Sequence, residues 1–376
     1  MNKAKKFLAI TMLAVVAAAA LLAGCSADAS SLPYLEDEVV VKGLTDEDFT
    51  VTISDLTQME AVSKKAEGQR SNGDIVKLTA VGPTLASFVE KYGGGKPLSE
   101  FSAVRFTSLD GYSVAVPREI LEKREVVLAY MDGSKKFDKG QSAPLRAVVL
   151  GERAMYWARM VCEISFETGT SATVTDKVVF LDTALPLLGE TKGSYSEEEG
   201  GDIVSTIDIL LKYGGMPGDG DSGAKVYMAA SDGLKKNETM DNFLKGYLKY
   251  TGDLVPQFCS PDLPEGMNMN TICSIRAGTT LYASLARGLE TWGEATGADG
   301  HVGVGFTDMI KDQGFATVNV YQLTDVEGQT YLFNQHELVA GVFAEVDGAW
   351  GFYPPTDDEE LEPVTSVVSV EAVGQE

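Results

Sequence analysis

The chain has 376 residues, 44% of them hydrophobic, with 39 glycines, and it carries 31 basic against 55 acidic side chains for a net charge of −24. That composition fits turn-rich globular structure and rules out wholesale disorder. The acidity repels nucleic acid, and two histidines with four cysteines and no CxxC leave zinc or haem without a ligand set.

Residues 1–24 read as a cleaved leader. Lys3, Lys5 and Lys6 precede an apolar run from Phe7 to Leu22, which closes on Leu22-Ala23-Gly24-Cys25. The run is short for a membrane span and turns polar at once. The motif resembles a bacterial lipobox, and the resemblance implies cleavage before Cys25 and lipidation of that thiol. Processing removes three lysines and no acid, taking the charge to −27. The expected location is the outer face of the cytoplasmic membrane, with residues 25–37 as a lipidated tether and the membrane as one partner.

Beyond the tether, Glu38–Lys42 and Phe49–Ile53 alternate like strands, and the polar stretch 57–74 reads as a loop. Leu85, Phe88, Val89 and Tyr92 have helical spacing and stop at Gly93-Gly94-Gly95. Strands follow at Ala103–Thr107 and Ser113–Val116 around the turn Ser108–Tyr112, then a short helix at Pro117–Lys123. Glu125–Tyr130, Leu145–Leu150 and Met160–Phe166 complete a first unit, 38–168.

Similar grammar recurs. The helix with a glycine stop returns at Ile209–Gly215, strand and turn at Lys225–Gly233, and helix and strand at Met240–Leu244 and Gly246–Thr251. A third run passes through Gly305–Gly314, strand Ala316–Gln322, turn Asp325–Gly328, strand Gln329–Phe333, helix Asn334–Val339 and strand Gly341–Val346. The period, about 110 residues, is that of a domain rather than a solenoid module. The expected divisions are a second divergent copy at 172–288 and a third, partial copy at 289–376.

Several motifs resolve to ordinary structure. Gly93-Gly94-Gly95-Lys96 follows a helix and lacks the phosphate-loop spacing, so it reads as a C-cap. The glycines of Gly300–Gly305 lack a dinucleotide context, and Asp357–Glu360 lacks the alternation of a calcium loop. His336 reads as a surface residue, and Trp292, Trp350, Phe352 and Tyr353 as core. Cys259 and Cys273 are spaced to close a disulfide, with free buried thiols as the alternative.

The first unit resembles the sulfite-oxidase type of molybdopterin-binding domain. The residues that carry the likeness are Val104–Tyr112, Leu128–Gly133, Ala143-Pro144-Leu145-Arg146 and Tyr156–Ile164. The resemblance implies an α+β fold, mixed and largely β, in two or three tandem copies. It also implies a cysteine thiolate on molybdenum, because soft sulfur tunes a high-valent metal for oxygen-atom transfer. Ala66 stands nearest that position, and Tyr156 stands where a pterin-binding lysine is common. Ala66, Arg70, Asp110, Tyr112, Arg146 and Trp157 therefore outline a vestigial pocket. Arg146 either holds an anion through its planar fork or pairs structurally with a carboxylate, the latter being favoured. The reading is a non-catalytic binding or accessory lipoprotein of a surface or redox complex, with no cofactor expected. The alternative is a molybdopterin-dependent oxidoreductase with an atypical metal shell.

Overall fold

The computed structural model describes residues 29–70, 74–168, 174–192, 195, 200–217, 224–297, 300–311, 315–355 and 362–373. Cys25 and Asp357–Glu360 lie outside them. They form two compact units, one of residues up to 109 with 118–168, the other of 110–117 with the chain from 169 onward. Among the described residues no helix is long and apolar enough to cross a membrane.

In the first unit, β1 (Glu38–Lys42) and β2 (Phe49–Thr52) form an antiparallel pair, followed by α1 (Ile53–Thr57). The expected loop at 57–74 is instead largely strand: β3 (Val62–Gln69) pairs antiparallel with β4 (Ile75–Gly82), Ala66 opposite Leu78. Its buried face carries only Ala66 and Gly68 while the other face is solvated, so the sequence lacks a hydrophobic stripe. Helix α2 (Leu85–Tyr92) is capped by Thr84, whose hydroxyl accepts from the Ser87 amide at 3.1 Å, and buries Leu85, Phe88 and Val89.

Strand β5 (Ala103–Ser108) leads to the tip Asp110–Pro117, with β6 (Ser113–Pro117), which groups with the second unit. After α3 (Arg118–Leu121) come β7 (Val126–Ala129), β8 (Met131–Asp132), β9 (Lys135–Lys136), β10 (Arg146–Val149) and β11 (Val161–Glu167). β11 lies between β1, to which it is parallel, and β5, to which it is antiparallel. A second sheet has the order β3-β4-β8-β9, and β7 pairs with β10.

The second unit starts with β12 (Lys177–Phe180), α4 (Leu181–Leu188), β13 (Ile203–Ser205) and α5 (Thr206–Tyr213). Next are β14 (Lys225–Ala230), β15 (Lys235–Thr239), α6 (Met240–Phe243), β16 (Tyr247–Lys249), β17 (Gln257–Cys259) and β18 (Ile272–Ala277). Then come β19 (Thr280–Ala283), α7 (Leu285–Thr291), β20 (Ala295–Thr296), β21 (Val302–Gly305) and α8 (Phe306–Ile310). It finishes with β22 (Val320–Asp325), β23 (Thr330–Asn334), α9 (Gln335–Ala340), β24 (Val342–Val346), β25 (Ala349–Tyr353) and β26 (Val367–Val373).

The segments 172–288 and 289–376 fall in one compact unit. Their strands share a sheet of order β15-β14-β18-β19-β12-β26-β22-β23. In the first unit β1 lies directly beside β11. In the second unit β12 and β19 lie parallel to each other at the centre of the sheet, Val179 opposite Tyr282, and β12 pairs antiparallel with β26. Both faces of these strands are covered, which is why they are continuous apolar runs without alternation. Val179 and Tyr282 pack with Leu181, Leu185 and Phe258 on one side, while Val178, Phe180 and Leu281 pack with Leu285 and Phe343 on the other.

Candidate functional site

Strand β3 sets the wall of the candidate pocket. Ala66 and Gly68 lie two residues apart and point to the same face. A side chain at Gly68 would meet the Trp157 ring at 2.9 Å, so this face lies against the turn Ala154–Tyr156 and Trp157. Trp157 is buried, and its indole N–H donates to the Val149 carbonyl at 2.8 Å, tying that turn to β10. Its role is to hold the wall.

Arg146 opens β10 and is half-buried. Its Nε has no hydrogen-bond partner, and the guanidinium lies 6.0 Å from the Phe137 ring centroid. Desolvation is the main cause that lowers its pKa to about 10, and repulsion from Arg159 and Arg70 adds to it, against attraction from Asp132. Asp132 is itself engaged, accepting the Thr79 amide at 2.7 Å. The favoured pairing of Arg146 with a carboxylate is therefore not what the structure shows. A guanidinium packed among like charges with a buried donor unspent is a costly arrangement that an anion would relieve. Arg105 shows the contrast, since it is buried in a 2.7 Å ion pair with Glu167.

The structure thus brings Arg70 and Arg146 together and adds Arg159 and Asp132, while Ala66 and Trp157 share the adjoining wall. Asp110 and Tyr112 are not part of this cluster. Asp110 accepts the Tyr112 amide at 3.1 Å in a turn, and the Tyr112 ring packs over Gly266 within the second unit. Asp132 was overlooked because its Asp-Gly setting reads as an ordinary hairpin turn.

The donor set does not fit molybdenum. The methyl of Ala66 offers no electron pair, and Cys162, on β11 in the other sheet, donates its thiol to the Thr107 carbonyl at 3.5 Å. None of the described cysteines forms a disulfide. Cys273 donates to the Ala229 carbonyl at 3.2 Å and Cys259 to Tyr247, so the expected Cys259–Cys273 bridge is not formed. Burial pushes the Cys273 thiol up. Among the described residues no cluster of three or more His, Cys, Asp or Glu stands ready for a metal. His336 is exposed on α9, whereas Trp350, Phe352 and Tyr353 are buried and Trp292 packs against the core.

No curated protein matches the chain. Among solved structures it is similar to the crystal structure of the sulfane dehydrogenase SoxCD from Paracoccus pantotrophus, at 19% identity and a TM-score of 0.33. That match covers 37% of this chain and 40% of that one. Residues 33–174 match the family model of the oxidoreductase molybdopterin binding domain.

Proposed function

We propose that this chain is a lipid-anchored extracytoplasmic protein, tethered through Cys25, whose first unit is a non-catalytic anion-binding module of a surface or redox complex. The observation that carries the reading is the Nε of Arg146, which has no hydrogen-bond partner among the described residues and whose guanidinium is repelled by Arg159 and Arg70, in a unit where Ala66 replaces the expected thiolate. The family scaffold is retained and its charge complementarity to a phosphate-like group persists, while the metal ligand is gone. The second unit is read as two further copies of the same fold, joined by placing their opening strands side by side. Its element order supports this, and it lacks the cluster: Gln257 opens β17 where Arg146 opens β10, and the paired β20 and β21 have two and four residues where β3 and β4 have eight each.

The test is a phosphate titration of the wild-type protein and of Arg146→Met, followed by thermal unfolding. Phosphate should raise the wild-type melting temperature saturably, and the variant should lose at least tenfold in affinity while melting no lower in phosphate-free buffer. Equal phosphate response in the two proteins would refute the assignment.

A further inference from the structure

The centre of the second unit holds a feature that the first unit lacks. β12 and β19 are adjacent parallel strands whose chains leave for opposite faces of the sheet, β12 into α4 on the side of Leu185 and Phe258, β19 into α7 on the side of Phe343. Such a divergence opens a crevice outside the carboxyl ends of the strands, the usual ligand position in open sheets with parallel strands. A cavity of about 340 Å³ lies there, lined by Leu181, Asp182, Leu185, Val255, Pro256 and Ser284 among others. That volume is at the small end of ligand pockets, which run about 300–1,000 Å³.

The chemistry of the lining is one-sided. Asp182 accepts the Ser284 hydroxyl at 2.9 Å and the Leu285 amide at 2.6 Å, and the Ala286 amide also donates to it. Every one of these donors is neutral, so the carboxylate is held in place without a compensating cation. Arg287, the cation of the lining, is spent: its Nε donates to the Val255 carbonyl at 2.7 Å and its Nη1 to Glu290 at 2.9 Å. An anionic ligand is repelled by this arrangement. A hard metal ion wants six to eight oxygen ligands, and the walls of leucine, valine and proline do not supply them. What fits is an apolar body with one positive end.

We propose that this cavity binds a small organic amine, with its ammonium at Asp182 and its hydrocarbon part against Leu181, Leu185 and Pro256. The site is independent of the arginine cluster of the first unit.

The experiment uses the full chain with n-butylamine as probe, and butan-1-ol and butyrate as neutral and anionic isosteres, read by saturation-transfer NMR and thermal shift. Butylamine should bind saturably, at least tenfold tighter than butanol, and butyrate should give no signal. Asp182→Asn should cost at least tenfold in butylamine affinity. Ala286→Leu, which fills the cavity rim from an exposed position, should do the same without relying on the buried carboxylate. Butylamine binding no tighter than butanol, or unchanged in the Ala286→Leu variant, would overturn the proposal.

Discussion

Gly82 and Gly303 stand two residues before the N-caps of α2 and α8, and each is pressed against the backbone of a neighbouring strand. A Cβ on Gly82 would lie 2.0 Å from the Leu128 carbonyl oxygen, and one on Gly303 would lie 2.0 Å from that of Phe343. Real Cβ contacts essentially never fall below 3.0 Å, so either Gly→Ala change forces the strands apart by about 1 Å in a close-packed interior. In the first unit that separation breaks two backbone bonds flanking Gly82, Leu128 N–H to Pro83 and Tyr130 N–H to Val81, each 2.9 Å. Counting only the two amide donors, at about 1–3 kcal/mol per buried group left unsatisfied, Gly82→Ala should cost at least roughly 2–6 kcal/mol. That is a large share of the 5–15 kcal/mol typical of a domain. Urea denaturation measures the loss, and hydrogen exchange locates it: protection should fall in 75–82 and 126–132 for Gly82→Ala, and in 302–305 and 342–346 for Gly303→Ala. A cost under about 0.5 kcal/mol at either site, the range of neutral surface changes, would refute the reasoning.

Further outcomes follow from single groups. Glu167→Ala strands a buried guanidinium and should destabilise by about 3–5 kcal/mol, while the double change Arg105→Met with Glu167→Met should cost less; equal losses by denaturation would contradict the pairing. Burial raises the Asp182 pKa, so its proton is held more tightly in the folded than in the unfolded state. The stability this contributes is present below the unfolded carboxylate pKa and lost as pH rises through the folded value. Asp182→Asn should therefore flatten the fall in stability over that interval, measured by urea unfolding against pH, and an unchanged slope would exclude the effect. Because Cys162, Cys259 and Cys273 form no disulfide among the described residues, dithiothreitol should leave the melting temperature unchanged. Cys25→Ser should move the protein from the membrane to the soluble fraction of its cells.

How much of this was legible in the sequence depended on how local the cause was. Helix α2 could be read because Thr84, the spacing of Leu85, Phe88 and Val89, and Gly93 all act within ten residues. Strand β3 was hidden because the residues it buries are alanine and glycine, which carry almost no hydrophobic signal. β12 and β19 each hold only three consecutive apolar residues, too few to separate from buried helix by periodicity, and their pairing joins residues about a hundred positions apart. The arginine cluster was half visible: the Pro-Leu-Arg motif singled out Arg146, but the absence of a carboxylate partner is a property of packing between β8 and β10. Asp110 and Tyr112 belong to the turn that carries the family resemblance, and the chain groups them with the other unit.

The central claim is that the first unit keeps the scaffold of its family without the metal chemistry. Molybdenum and pterin should be measured together in wild-type protein purified from cells that synthesise the cofactor. The account predicts neither at stoichiometric level, and one molybdenum per chain with bound pterin would contradict it.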